Sequence, residues 1–362
     1  MPMVRWNISA RRHLSPIATI FCLVVGHSAD AQPTITDVQV TTSNGLIQLQ
    51  ATGTGFGARQ SIAPLLWDDF ESGTPGKLIA SQPARIGTWD SGAGSEYVTY
   101  SDLRPFAGNK SARHDFTTYY NASLAKNGTF PKLYIDFWAR PEMIAPPCNW
   151  KVWRLYGDND LLQIDWVFFN TSSSDNVVDP AFVNAYWGHL PYKDSTWQHY
   201  QVVYQESTPG GSDGTLIHMI NGEIDGANSS SLKTRTVSSH ISEVRLGHFW
   251  STDHLQGCYS PGAVVYIDNV YIDTSWTRME VTDQPTYSAS RARAVQLPMA
   301  WSDSTATATA NLAGLPTSGK LYVYVFDESN RPNKSGFPIS ITAGVTPPPL
   351  AKPLPPTATT VK

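Results

Sequence analysis

Cysteine is scarce in this chain of 362 residues: three are present, and Cys22 falls in an N-terminal segment with an export pattern. Cys148 and Cys258 remain, without a Cys-x-x-Cys pair or a His/Cys spacing, so thiol-redox and zinc-cluster motifs are excluded. Charge is also sparse, at 15% of residues, and no Lys/Arg cluster occurs. A nucleic-acid partner or an anionic membrane surface would need concentrated positive charge, so neither is expected. No apolar run after the leader is long enough to span a bilayer. Helical periodicity is almost missing between Pro33 and Gly344, which excludes a helical bundle and argues against an α/β fold.

The pattern that is present begins with a leader. Arg5, Arg11 and Arg12 precede the apolar run from Ile17 to Val25, and Ala29-Asp30-Ala31 places small residues where a signal peptidase reads. Residues 1–31 therefore read as a signal peptide, and the protein as secreted, extracellular or periplasmic. Losing three Arg and one Asp with that segment takes the net charge from −4 to −6. In an oxidising compartment Cys148 and Cys258 are expected to form a disulfide. At the other end, Thr346-Pro-Pro-Pro-Leu-Ala-Lys-Pro-Leu-Pro-Pro356 can form neither helix nor ladder, so 346–362 reads as an extended Pro-rich tail.

Between these ends lie short alternating runs separated by Gly, Asn, Asp, Ser and Pro. From Leu133 to Arg140, Leu133, Ile135, Phe137 and Ala139 share one face, and Tyr134, Asp136, Trp138 and Arg140 the other. Leu162 to Phe168 repeats the pattern, with Gln163 and Asp165 on the polar side. Further strands are expected at Lys151–Tyr156, Trp197–Gln205, Thr215–Ile220, Val244–Phe249 and Val264–Ile272. Asn221-Gly222 is a hairpin turn signal, because both residues tolerate positive φ. Many evenly spaced strands with one polar face predict an all-β sandwich or barrel.

Some runs resemble known families. Trp67-Asp-Asp-Phe-Glu-Ser-Gly73, Trp197-Gln-His-Tyr200, Asp213 to Gly222 and Tyr266-Ile-Asp-Asn-Val-Tyr-Ile272 resemble strands of concanavalin-like jelly rolls, the lectin, glucanase and polysaccharide-lyase superfamily. That resemblance covers roughly residues 66–276. Pro33-Thr-Ile-Thr-Asp-Val38 and Leu46 to Gly57, with its Gly-x-Gly-Phe-Gly end, resemble the first strands of the immunoglobulin-like IPT/TIG domain. Trp301 to Thr309, Leu321 to Asp327 and Ser335 to Ile341 resemble its later strands. The resemblances imply an antiparallel jelly-roll sandwich at 66–276 inserted into a smaller Ig-like sandwich. The flanks, 33–65 and 277–345, would supply the smaller sandwich, with strands near Leu46–Gln50 and Leu321–Phe326 sharing it.

The jelly-roll resemblance implies a carbohydrate partner. The expected function is binding of an extracellular polysaccharide by a monomer, through Tyr134, Trp138, Arg140, Arg154 and Arg245. Aromatic rings stack on sugar C–H faces, and Arg donates to hydroxyls and carboxylates. One alternative is a polysaccharide lyase, with Arg154 and Gln163 neutralising a uronate carboxylate and Tyr156 or His199 moving the proton. Gln163-Ile164-Asp165 resembles the Gln-Ile-His strand of alginate lyases, with Asp in place of His. Another alternative is a non-catalytic adhesin or structural module. Glu223-Ile-Asp225 begins like the laminarinase Glu-x-Asp-x-x-Glu strand, but Asn228 stands at the last position, so it reads as an ordinary hairpin. No cofactor is required. Glu71 and Asp268 are where such jelly rolls often hold a structural Ca²⁺.

Overall fold

The structure is a computed structural model. It describes residues 32–341 except 44, 93, 117–121, 143–149, 159–162, 170–171, 180–181, 188–192, 236–237, 248–261 and 317–318; at 163 and 165–187 it describes the backbone alone. The leader, the Pro-rich tail, Cys148 and Cys258 therefore lie outside the described residues. No α-helix occurs among the described residues, and none of their helical segments is long and apolar enough to cross a membrane.

In chain order the strands are β1 (Thr34–Ser43), β2 (Leu46–Thr54), β3 (Leu66–Asp68), β4 (Val98–Ser101), β5 (Ser111–Asp115), β6 (Leu124–Asn127), β7 (Lys132–Glu142) and β8 (Trp150–Gly157). They continue with β9 (Gln163–Phe169), β10 (Ser172–Asp179), β11 (Phe182–Trp187), β12 (Gln198–Gln205), β13 (Gly214–Ile220), β14 (Glu223–Leu232), β15 (Ile241–Leu246) and β16 (Val264–Asp273). The last are β17 (Arg278–Thr282), β18 (Arg293–Val295), β19 (Leu297–Trp301), β20 (Thr305–Thr309), β21 (Lys320–Phe326) and β22 (Phe337–Ser340).

Two sheets make the large sandwich. One has eight strands, in the order β14-β13-β12-β7-β16-β5-β4 with β3 paired to β16; the other has six, β11-β10-β9-β8-β15-β6. All of their pairings are antiparallel. The alternation seen in the sequence places Leu133, Ile135, Phe137 and Ala139 of β7 and Tyr200, Val202 and Tyr204 of β12 inward. They meet Trp153 and Leu155 of β8 and Val244 and Leu246 of β15 in one core. The Asn221-Gly222 turn joins β13 to β14 with φ of 50° and 75°, the left-handed pair that a two-residue hairpin needs.

The smaller sandwich is built from both flanks. Sheet β1-β2-β20-β19 faces sheet β18-β17-β21-β22. Leu49 of β2 is the register partner of Ala308 of β20, and Leu49, Ala51 and Phe56 share a core with Ala306, Ala308, Val281, Val323 and Val325. The Gly-x-Gly-Phe-Gly run ends β2: Gly55 and Gly57 take φ of 72° and 73°, and Phe56 between them is fully buried. A Cβ at Gly53 would meet the Thr34 carbonyl and the Phe56 ring, so the close approach requires glycine. The small sandwich covers the outer face of the eight-stranded sheet: Trp67, Tyr134, Val203 and Tyr271 pack against Trp276, Val295 and Leu297.

Candidate functional site

The two outer faces of the large sandwich differ, and each holds part of the residue set expected from sequence. On the six-stranded sheet, a bulge between Lys151 and Trp153 resets β8. Trp153 and Leu155 then point into the core, and Arg154 and Tyr156 lie on the outer side. Arg154 donates to the Tyr156 hydroxyl at 2.6 Å. On the neighbouring β15, Arg245 places its guanidinium 4.2 Å from the centre of the same ring, while Nε–H and Nη2–H donate to Glu243 at 2.6 and 2.8 Å. Arg154 and Tyr156 are buried, each 6% exposed; Arg245 and Glu243 are the half-buried side of the cluster.

Register explains the convergence. Arg154 is directly opposite Arg245, and Tyr156 opposite Glu243. On the other side, Arg154 pairs with Asp165 and Tyr156 with Gln163 of β9, and Asp165 pairs with Asn176 of β10. Like charges directly across a ladder are unfavourable. Here two guanidiniums stand opposite one another and both close on one phenol ring.

The eight-stranded sheet's outer face is an interior. Tyr134, fully buried, has its hydroxyl 3.1 Å from Asp136 and from Glu280 of the small sandwich. Gln201 donates to the Tyr134 hydroxyl and to Asp136, and accepts from Arg293. His199 Nε2 is 2.9 Å from Asp136, and its ring stacks on Trp138, which also stacks on Phe106 at 3.8 Å. Arg278 and Glu280, both essentially unexposed, form an ion pair at 2.6 Å. Burial works against the charged carboxylate, yet Arg278 and Arg293 hold Glu280 below the usual carboxylate range.

These positions correct several sequence expectations. Tyr134 is sealed beneath the small sandwich and presents no ring face to a sugar. Trp138 spends its ring on Phe106 and His199, and Arg140 pairs with Glu142, as Arg104 does. His199 cannot act with Arg154 and Tyr156, because β12 and β8 belong to different sheets and their outer faces point away from each other. Arg154, Tyr156 and Arg245 do come together, with Gln163 opposite Tyr156 in register. Sequence reasoning missed Glu243, although a Glu two residues before an Arg on one strand is a readable same-face pair.

The Glu71 and Asp268 carboxylates hold the two ends of one loop. Asp268 Oδ2 accepts N–H from Phe106 and Ala107, and Glu71 Oε1 accepts N–H from Asn109 and Lys110. Asp68, also missed, accepts from Phe70 N–H and Trp89 Nε1–H. Burial pushes its carboxyl up to about 7, and raises that of Asp268. No group of three or more His, Cys, Asp or Glu suited to a metal occurs among the described residues.

No protein-family model matches the chain, and no curated protein matches it. Among solved structures it is similar to an endo-β-1,4-glucuronan lyase from the fungus Trichoderma reesei, at 13% identity and TM-score 0.42, over 56% of this chain and 97% of that one. Alginate lyase Aly36B is similar at 13% identity and TM-score 0.43, over 58% and 97%. A PL-14 alginate lyase from Aplysia kurodai is similar at 10% identity and TM-score 0.39, over 49% and 87%. Likeness at this level assigns no activity to this chain.

Proposed function

We propose that the outer face of the six-stranded sheet binds an extracellular polysaccharide, with Arg154, Tyr156 and Arg245 as its contact residues. The observation that carries this reading is the convergence of Arg154 and Arg245 on the Tyr156 ring, with the half-buried Arg245 and Glu243 at its edge. A glycan hydroxyl or carboxylate is suited to two guanidinium donors beside an aromatic ring.

A second reading is a polysaccharide lyase, favoured by the 2.6 Å contact between Arg154 and the Tyr156 hydroxyl. Arg154 would neutralise the uronate carboxylate. Tyr156 would take the C5 proton, the C4–O bond would break as the C4–C5 double bond forms, and the departing oxygen would take a proton. His199 has no part in it. The test is a glycan panel with parallel ultraviolet detection of the unsaturated product. Binding without product supports the binding protein, product supports the lyase, and neither outcome supports an adhesin or structural module and ends both readings.

The same proposal includes export with cleavage after Ala31, a Cys148–Cys258 disulfide, and the partition into 33–65, 66–276 and 277–345. Calcium at Glu71 and Asp268 is a separate proposal. It rests on the buried carboxylates of Asp68 and Asp268, which have no ion-pair partner among the described residues. A calcium chelator should then lower the melting temperature, and an unchanged melt would remove calcium from the account.

A further inference from the structure

Glu243 has a carboxylate that grips the Arg245 guanidinium through two hydrogen bonds of 2.6 and 2.8 Å. Two such bonds fix the plane of the fork as well as its position. That plane lies over Tyr156 at 4.2 Å. The grip acts where Arg245 faces Arg154 directly across the ladder.

The space for this carboxylate comes from a residue 151 positions earlier. A Cβ on Gly92 would lie 2.8 Å from Glu243 Oε1 and 2.6 Å from the Ala125 Cβ. The loop around Gly92 is tied down against β6. Asp90 N–H donates to the Ala125 carbonyl, its carboxylate accepts from Lys126 Nζ–H and Asn127 N–H, and Gly92 N–H donates to Ser95 Oγ. A side chain at Gly92 would meet both the Glu243 carboxylate and the Ala125 methyl, so it would press on the carboxylate and on the loop's seat against β6.

We infer that Glu243 is the positioning residue of the six-stranded face, and that Gly92 is its steric complement. Both set how Arg245 is presented to a ligand that need touch neither of them. The inference rests on the reading of that face as a glycan site.

The test uses the full chain, with a soluble polyuronate and a neutral glucan as probes. Glu243→Gln should weaken binding of whichever probe the wild type binds by roughly tenfold, the size of one charged hydrogen-bond contact. Gly92→Ala should act in the same direction. Glu223→Gln, on the eight-stranded sheet and paired with Arg291, should leave binding unchanged. In an Arg245→Ala background Glu243→Gln should cause no further loss, because its effect passes through Arg245. Melting curves on every variant identify any that fail to fold, and the Glu243→Gln cycle stands without Gly92→Ala. Wild-type strength binding by Glu243→Gln, or an undiminished loss in the Arg245→Ala background, overturns the positioning role alone. A wild type that binds neither probe overturns the reading of the face, and the inference with it.

Discussion

The two outer faces of the large sandwich carry the same kinds of residue and meet opposite fates. On the eight-stranded sheet, Arg278 is matched by Glu280, and Gln201 spans from Arg293 to Asp136. Apolar side chains from the small sandwich close over these polar groups. On the six-stranded sheet, Arg154 and Arg245 stand opposite each other around Tyr156. The first face is arranged as a protein interior beneath the small sandwich, whereas the second gathers Arg154, Tyr156 and Arg245, with Arg245 and Glu243 half-buried at its edge. An alternating polar strand therefore says nothing by itself about function; what lies against it decides.

The largest expected effect belongs to the sealed face. Arg278→Ala leaves Glu280 buried without its partner and should cost about 3–5 kcal/mol in chemical denaturation. A fragment of residues 66–276 would expose Trp67, Tyr134, Val203 and Tyr271; it should be aggregation-prone, although the strand pattern alone suggests an independent domain. A well-behaved monomeric fragment with the full chain's stability would break the comparison.

The core shared by both faces should respond to acid. Burial lowers His114 and His218 to about 4. His218 uses both nitrogens in the neutral form, with Nδ1 at the Asp225 carbonyl and Nε2 accepting from Trp153. The folded state thus resists protons that the unfolded chain binds from about pH 6.5 downward. Stability should fall as pH drops from about 6.5 to about 4, by up to about 3 kcal/mol per histidine. Asp68, raised to about 7, acts in the opposite sense: its contribution is present below about pH 4 and is lost as pH rises toward 7. The two effects oppose each other between about pH 4 and 7, so they are read by difference. Asp68→Asn removes the opposing slope and should steepen the fall of melting temperature between about pH 6.5 and 4, and a profile parallel to that of the wild type would contradict the Asp68 burial.

Single replacements sharpen the contrast between the faces. Arg154→Ala should weaken glycan binding ten- to a hundredfold, the loss of a charged hydrogen bond of ~1.5–3 kcal/mol. His199→Ala should leave binding alone and cost ~1–3 kcal/mol of stability, because Asp136 loses a buried partner. The reverse result, in titrations and melts of the same two proteins, would exchange the roles of the faces. The smallest effect is expected at Glu223, half-exposed in its ion pair with Arg291: Glu223→Ala should change stability by less than ~1 kcal/mol.

Much of the fold was legible. Alternation in β7 predicted its inward residues and Asn221-Gly222 the hairpin, and strands from both flanks share one sheet, β1-β2-β20-β19. Strand periodicity states which residues share a face of one strand. It does not state which strands share a sheet, so Arg154 and His199 were grouped although they point away from each other. Tyr134 and Trp138 were misread for a related reason: burial by a docked second sandwich is a long-range contact that no local pattern records. Gly92 left no local signal, since its meaning depends on a carboxylate 151 positions away. The Tyr156 cluster was found because Arg and Tyr two apart on β8 announce a common side.

The closure of the small sandwich sets an order of events during synthesis. β2 ends at Thr54 and its ladder partner β20 begins at Thr305. At ~5–20 residues per second, the first hairpin waits roughly 10–50 s for that partner to be made. A chain that stops early, or is clipped before Thr305, keeps one edge of β2 unpaired and the core around Leu49 and Phe56 open. Completion of the last strands thus distinguishes finished molecules from unfinished ones, and quality-control proteases that seek open edges would find them only in the latter.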